Sequence, residues 1–104
     1  LLHGPVAAVD AETTVVAMTS AGHGGKAMRE VLDVLRRSGA DVLAVGSAAH
    51  RMPADAVLDV PESAEEIAPI LEILPIQRLA LGLALARGTD PDTPRGLHKI
   101  TRTR

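Results

Sequence analysis

Three short apolar runs restrict most strongly what this chain can fold into. They span Thr13–Ser20, Asp41–Gly46 and Ala56–Val60, and their apolar residues are continuous rather than alternating with polar ones. A strand that is apolar on both faces is typical of a parallel sheet covered on both sides. Between the first two runs, Lys26–Ser38 has the apolar spacing of an amphipathic helix. The pattern predicts a parallel α/β layer structure.

The number of predicted strands is low for such a fold. Three strands make a thin sheet, whereas doubly wound domains have about five. The 104 residues of the chain suffice for one domain, and the chain begins with Leu1 rather than methionine. We therefore expect one domain over 1–104 that lacks its first strand and helix.

The last third of the chain joins its most apolar stretch to its most basic one. An apolar helix is expected to start at Pro69 and to continue to Ala86, with Gly88 placed to end it. Two proline turns, at Pro91 and Pro94, separate this helix from a cationic end. The bases of that end are Arg95, His98, Lys99, Arg102 and Arg104. We expect 88–104 to form an irregular tail.

Composition argues against several kinds of site. The chain has no Phe, Tyr or Trp, and single-stranded nucleic-acid binding depends on aromatic stacking. It has no cysteine, which excludes disulfides and thiolate metal ligands and fits a reducing cytoplasm. Its four histidines show no metal-ligand spacing. We expect neither a metal nor a cofactor.

Charge and hydropathy argue against nucleic-acid and membrane partners. The net charge is −2, and the basic tail is too small for a nucleic-acid surface, although it can neutralise a phosphate. Glu72, Gln77 and Arg78 interrupt the longest apolar stretch, so we expect no segment that spans a bilayer. No signal peptide is visible. These features predict a cytoplasmic protein.

The glycine-rich segment Ser20–Ala27 matches a phosphate-binding loop only in part. Ser20 stands where the Walker pattern requires glycine, and Ala27 stands where it requires serine or threonine. A strand-to-helix turn that needs glycines accounts better for the segment. An anion site at the N-terminus of the following helix stays open as a weaker alternative.

His3 and Lys99 are the candidate catalytic residues. His3 precedes the rigid turn Gly4-Pro5, and a histidine exchanges protons near neutral pH. Lys99 follows Arg95 in a cluster of cations, and like charges favour the neutral amine, which suits proton transfer or Schiff-base formation. The residues alone leave a plainer interpretation open, a turn histidine and a solvated basic tail.

Two segments and the start of the chain resemble a known family. Residues 66–80 (EIAPILEILPIQRLA), residues 86–99 (ARGTDPDTPRGLHK) and the opening His3-Gly4-Pro5 are similar to the C-terminus of the glutamine–fructose-6-phosphate aminotransferases. The resemblance implies the second sugar-isomerase (SIS) domain of such a protein. It implies a Rossmann-like parallel sheet, flanked by helices, that binds phosphosugars such as fructose 6-phosphate and glucosamine 6-phosphate. The two SIS domains of the family convert a ketose phosphate to an aldose phosphate.

The same resemblance implies roles for three residues. His3 takes part in opening the sugar ring and reaches the active site across a subunit contact. Lys99 lies in the active site and acts in ring opening and in imine formation with the ketose carbonyl. Arg95 and the proline turns position the tail over the substrate.

Several parts that the family requires are missing from this chain. The glutamate that acts as enolisation base precedes the His-Gly-Pro motif, and the phosphate-binding Ser/Thr loops belong largely to the first SIS domain. The glutaminase domain is absent as well. The ending Thr-Arg-Thr-Arg resembles shorter relatives with two SIS domains and no glutaminase half, some of which deaminate or isomerise amino-sugar phosphates. We therefore expect the fragment alone to be inactive.

Two other functions stay open. SIS domains also act as phosphosugar sensors in transcription regulators, and a degenerate SIS domain can merely complete a dimer. For the enzyme, the expected partners are a phosphosugar substrate and a first SIS domain, the second subunit of a homodimer, or both, with no nucleic acid and no membrane.

Overall fold

The order of elements is that of a parallel α/β unit. The structure is a computed structural model that describes residues 5–22, 24–93 and 96. The strands are β1 (Thr14–Met18), β2 (Asp41–Gly46) and β3 (Ala56–Asp59), and the helices are α1 (Gly24–Arg37) and α2 (Ala68–Ala86). Single turns of 3-10 helix occupy Pro5–Ala8 and Ala49–Arg51.

The three strands form one parallel sheet in the order β1-β2-β3. β1 pairs with β2 so that Val15 lies opposite Val42, and β2 pairs with β3 so that Leu43 lies opposite Ala56. Because parallel neighbours need a crossover, α1 connects the first two strands. The predicted parallel α/β architecture is confirmed, and each strand lies within or at the bounds that the apolar runs indicated.

The core lies between α1 and one face of the sheet. Its buried residues are Ala17, Leu32, Leu35 and Val42, of which Leu32 is fully buried. Leucine, valine and alanine supply this core without aromatic side chains. The apolar face of α1 therefore packs as its helical spacing predicts.

The other face of the sheet is apolar and is covered only in part by the residues that the structure describes. On that face Val16 and Met18 of β1 are 46% and 39% exposed, whereas Val45 of β2 is fully buried. Val57 of β3 lies opposite Ala44, on the α1 face, and is 44% exposed. In sequence the strands are apolar at successive positions, which predicted burial on both faces. Among residues 5–22, 24–93 and 96, this face is therefore covered at β2 but left exposed at β1.

α2 is apolar around most of its circumference and is mostly exposed. Only Ala68 and Glu72 of its 19 residues are buried. Its exposed large apolar residues include Ile70, Ile73, Leu74, Leu81, Leu83 and Leu85. The helix begins one residue before the predicted Pro69, which lies in the first turn as expected. A helix of this composition needs a covering surface.

By length and composition α2 also qualifies as a membrane-spanning helix, which the sequence pattern had not predicted. Two observations favour packing against protein instead. The helix carries Glu72 and Arg78, and a charge near the centre of a bilayer costs about 2.5–3.5 kcal/mol. Glu72 is also buried against the sheet, which attaches the helix to the domain.

Candidate functional site

The three site residues predicted from the sequence, His3, Arg95 and Lys99, lie outside the described residues. Their roles therefore stay predictions. What the structure does describe is the backbone that leads toward two of them. Pro5–Ala8 forms a 3-10 turn just after His3.

The start of the tail is held in a fixed turn at Asp90. The Asp92 N–H donates a hydrogen bond of 2.9 Å to Asp90 Oδ1, and the Thr93 hydroxyl donates to Asp90 Oδ2. The Thr93 hydroxyl and the Asp92 N–H lower the pKa of Asp90, in that order of importance. Helix α2 ends just before, and the Thr89 N–H donates to Ala84 O at 2.9 Å. Residues 89–93 thus form a hydrogen-bonded turn between α2 and the tail.

Backbone and side-chain hydrogen bonds join the carboxyl ends of β1 and β2. Thr19 is buried, its N–H donates to Val45 O at 2.8 Å, and the Ala48 N–H donates to Thr19 O at 2.9 Å. The Ala21 N–H donates to Ser47 Oγ at 3.0 Å. In open α/β sheets, ligands bind outside the carboxyl ends of the strands. This carboxyl edge is the candidate functional site.

Glu72 of α2 reaches this edge and is almost fully buried, with 3% of its surface exposed. The Ser20 hydroxyl, which follows β1, donates a hydrogen bond of 2.7 Å to Glu72 Oε1. A buried carboxylate is stable only when donors replace its water. Ser20 and Glu72 are 52 residues apart in sequence, so this contact depends on the tertiary fold.

Gly46, the last residue of β2, makes room for the carboxylate. Its φ is +136°, and a Cβ there would lie 2.5 Å from Thr19 O and 2.9 Å from Glu72 Oε1. Any side chain would displace one of these groups. The absence of a Cβ allows the ends of β1 and β2 to meet the N-terminal third of α2.

The loop after β1 is bordered by a second carboxylate. A Cβ on Gly22 would lie 3.4 Å from Glu65 Oε1, and Ser20 contacts Glu72. Since carboxylates repel anions, the surroundings of this loop disfavour the anion site that the sequence left open. α1 begins at Gly24, so the segment forms the predicted strand-to-helix turn.

Metal ligands are not gathered in the described part of the chain. Among residues 5–22, 24–93 and 96, no three His, Cys, Asp or Glu side chains form a group that could hold a metal ion. His50 Nδ1 lies 3.5 Å from Asp59 Oδ1, and both side chains are exposed. This pair is a surface contact.

A groove of about 500 Å³ lies between the end of β3 and α2. It is bordered by Asp59 and Arg78, and its other lining residues are Leu58, Val60, Pro61, Leu71, Leu74, Pro75 and Leu79. The walls are almost entirely apolar and carry no nucleophile or acid–base pair. We interpret this groove as a packing surface, apart from the polar carboxyl edge.

Sequence reasoning missed Ser20, Gly46 and Glu72 as a group. In the sequence, Glu72 only interrupts an apolar stretch, and Ser20 only departs from the pattern of a phosphate loop. One signal is present, because Glu72 is the single acidic residue within a mostly apolar helix. An isolated carboxylate in such a helix indicates either exposure or a specific buried partner.

Several known proteins that are similar in sequence to this chain share one name. The glutamine–fructose-6-phosphate aminotransferase (isomerizing) of Gloeobacter violaceus is 38% identical over 103 residues, 93% of this chain and 16% of that protein. The enzyme of the same name from Methanosarcina acetivorans is 38% identical over 102 residues, 95% of this chain and 16% of that protein. The one from Pyrobaculum aerophilum is 35% identical over 101 residues, 93% of this chain and 16% of that protein.

A solved structure agrees with these sequences. The C-terminal domain of glucosamine-fructose-6-phosphate aminotransferase from Francisella tularensis matches with a TM-score of 0.76 and 26% identity. The match covers 85% of this chain and 26% of that structure. No protein-family profile matches the chain. The chain spans about one sixth of the length of the relatives that it matches. The resemblance stated from the sequence motifs is confirmed.

Proposed function

Because this chain is homologous to the C-terminal portion of the glutamine–fructose-6-phosphate aminotransferases, we propose that it is the second SIS domain of a larger phosphosugar enzyme. The observation that carries the proposal is the similarity over more than nine tenths of the chain. The motif ARGTDPDTPRGLHK at 86–99 supports it, because it places one lysine after two proline turns. The parallel sheet, with its polar carboxyl edge, is a suitable frame for ligand binding.

The proposed reaction is aldose–ketose isomerisation, with transfer or release of nitrogen, on fructose 6-phosphate and glucosamine 6-phosphate. His3 moves the proton of the anomeric hydroxyl to the ring oxygen, which opens the sugar ring. The Lys99 amine then attacks the ketose carbonyl and forms an imine with loss of water. Arg95 contacts the substrate and positions the tail. The enzyme is cytoplasmic.

The chain supplies only part of this machinery. An enolisation base and a phosphate-binding loop must come from preceding residues or from a second subunit of a homodimer. The isolated chain is therefore catalytically inactive. The partner it requires is a first SIS domain, and the apolar faces of α2 and of the sheet are the surfaces available for it.

The test uses the full-length protein that contains this chain, with Lys99→Ala. We expect kcat to fall by at least about a hundredfold, both for amination of fructose 6-phosphate with ammonia and for deamination of glucosamine 6-phosphate. Coupled assays of sugar-phosphate turnover measure both directions. Arg104→Ala removes another cation of the same tail and is the matched control, with kcat expected to stay within about twofold.

Two results would contradict this assignment. Equal turnover by the Lys99→Ala variant and the wild type would exclude a catalytic role for the tail lysine. Binding of phosphosugars without any turnover by the wild type would favour a sensing module instead.

A further inference from the structure

Helix α2 ends in a hydrogen-bonded cap that fixes the direction of the chain beyond it. Gly88 has a φ of +65°, and its N–H donates to Leu85 O at 3.0 Å. Thr89 donates twice to Ala84 O, from its N–H at 2.9 Å and from its hydroxyl at 2.8 Å. The two backbone bonds are those of the Schellman motif, in which a glycine turns the chain out of a helix. The chain therefore leaves α2 in one defined direction.

The next turn is centred on the carboxylate of Asp90. Its Oδ1 accepts a hydrogen bond from the Asp92 N–H at 2.9 Å, and its Oδ2 accepts one from the Thr93 hydroxyl. Pro91 lies within the turn, where its ring fixes its own φ and restricts Asp90 to extended geometry. One carboxylate thus holds two of the residues that follow it, and the direction set at the end of α2 is maintained as far as Thr93.

These hydrogen bonds fix a local direction and add little to the stability of the domain. Residues 89–93 are all exposed, and each side-chain bond joins groups two to five residues apart along the chain. Bonds of that kind close a turn but do not attach it to the core, so the turn can open locally while the domain stays folded. The segment whose direction the turn sets is the one that carries Arg95 and Lys99.

We propose that Asp90 is a positioning residue for the amine of Lys99. The inference rests on the proposed function, in which that amine attacks the ketose carbonyl. Such an attack requires the two reacting atoms to approach within about 3–3.5 Å, and Asp90 reduces the number of directions in which the tail can leave α2. Without its carboxylate, the backbone of residues 90–93 gains freedom, and freeing a single residue lowers the population of one conformation by about tenfold. Asp90 therefore acts on the reaction through Lys99.

A double-mutant cycle on the full-length protein tests this role. Asp90→Ala should lower kcat for the deamination of glucosamine 6-phosphate by about tenfold, because the reactive conformation of the tail becomes rarer. In the Lys99→Ala background the same substitution should change kcat by less than about twofold, because Asp90 then has no amine to position. The Tm of the Asp90→Ala variant should stay close to that of the wild type, since the turn is exposed.

Two further variants separate the effect of the turn from the effect of its charge. Asp90→Asn keeps an acceptor for the Asp92 N–H, and its amide group can donate to the Thr93 hydroxyl, so kcat should stay within about threefold of the wild-type value. Asp92→Ala removes a negative charge from the same turn but keeps the backbone N–H that donates to Asp90. Its kcat should also stay within about threefold, because an exposed charge at this distance from the amine has little effect.

Each outcome supports or overturns the inference. It is overturned if Asp90→Ala has the wild-type kcat, or if the substitution lowers kcat equally with and without Lys99, which would indicate a general structural role. A loss in Asp90→Asn or Asp92→Ala as large as that in Asp90→Ala also overturns it, because the charge would then be the cause. A Lys99→Ala variant with the wild-type kcat overturns the proposed function as well, whereas a loss confined to Lys99→Ala overturns this inference alone.

Discussion

At the scale of single residues, Gly46 lies where three parts of the fold meet. Its φ of +136° belongs to a region that residues with a side chain rarely adopt. A Cβ would also lie 2.5 Å from Thr19 O, a backbone atom that cannot move alone. The carboxyl edge of the sheet therefore depends on a glycine at this position.

We predict that Gly46→Ala lowers the free energy of unfolding by about 3 kcal/mol or more, because strain and steric overlap add. Urea denaturation followed by circular dichroism measures the change. Gly82→Ala is the matched control, since Gly82 lies within α2 and an added methyl group there would meet no atom within 4 Å. That control should gain about 0.5–1 kcal/mol through helix propensity. Equal effects of the two substitutions would contradict the steric argument.

Asp55 joins the start of β2 to the segment before β3. Its Oδ2 accepts from the Val42 N–H at 2.9 Å, and its Oδ1 accepts from Arg36 Nη2 at 2.8 Å. The Val42 N–H, followed by Arg36, lowers the pKa of Asp55 below its usual value of 3.8. Because the folded state has the lower pKa, the ionised carboxylate stabilises the fold above the usual value, and this contribution is lost as the pH falls through the folded-state pKa.

We predict that the difference in Tm between the wild type and Asp55→Asn is constant near neutral pH and shrinks below the usual pKa of 3.8. In acid the wild-type carboxyl is protonated and resembles the amide. Differential scanning calorimetry over a pH series measures this difference. Arg36→Met should retain most of the pH dependence, because the Val42 N–H is the larger cause. A difference in Tm that grows in acid would contradict the argument that the ionised Asp55 carboxylate stabilises the fold.

At the scale of elements, α2 inverts the usual pattern of burial. Its one acidic residue, Glu72, is buried, while Ile70 and Leu85 are 65% and 62% exposed. Within the described residues, the helix contacts the sheet through its N-terminal third, where Ala68 and Glu72 lie one turn apart. The rest of the helix leaves large apolar side chains exposed.

The two prolines of α2 should differ in their effect on helix stability. Pro75 lies inside the helix, where it has no N–H to donate to the carbonyl four residues before it. Pro75→Ala should therefore stabilise the helix by about 1–3 kcal/mol and increase ellipticity at 222 nm. Pro69 lies in the first turn, where the missing N–H costs nothing, so Pro69→Ala should change stability by less than about 1 kcal/mol. Equal gains at both positions would contradict the hydrogen-bond argument.

At the scale of the whole molecule, the described domain has two uncovered apolar surfaces. One is the surface that Val16 and Met18 of β1 form on the sheet face away from α1, and the other is the outer side of α2 with Leu81 and Leu85. Exposed apolar patches of this kind mark interaction surfaces. The relatives are about six times as long as this chain, which agrees with a domain that other domains cover.

We predict that the 104-residue chain, expressed alone, self-associates as its concentration rises. Leu81→Glu combined with Leu85→Glu should reduce that association by at least about tenfold, since charges at these positions oppose burial. Sedimentation velocity over a concentration series measures it. Arg29→Glu on the exposed face of α1 changes charge without changing the apolar surface and is the control. A chain that stays monomeric at every concentration would contradict the prediction.

Much of this fold could be predicted from the sequence alone. The strands, both helices and the ends of α2 follow from hydrophobic periodicity and from glycine and proline positions, which act within a few residues. The parallel topology follows from the same pattern, because two strands that are joined by a helix can be expected to run in the same direction. The motifs in 66–80 and 86–99 indicated the family, and comparisons confirmed it.

Only the tertiary structure determined the composition of the carboxyl edge. Ser20 and Glu72 meet across 52 residues, and no local propensity encodes which partner a buried carboxylate will find. The need for a glycine at position 46 is likewise explained only by the positions of Thr19 and Glu72 beside it in the folded chain. The sequence by itself determined the elements and their order, since these depend on local interactions. The polarity of the candidate site was decided by long-range packing, which brings distant polar groups within hydrogen-bonding distance.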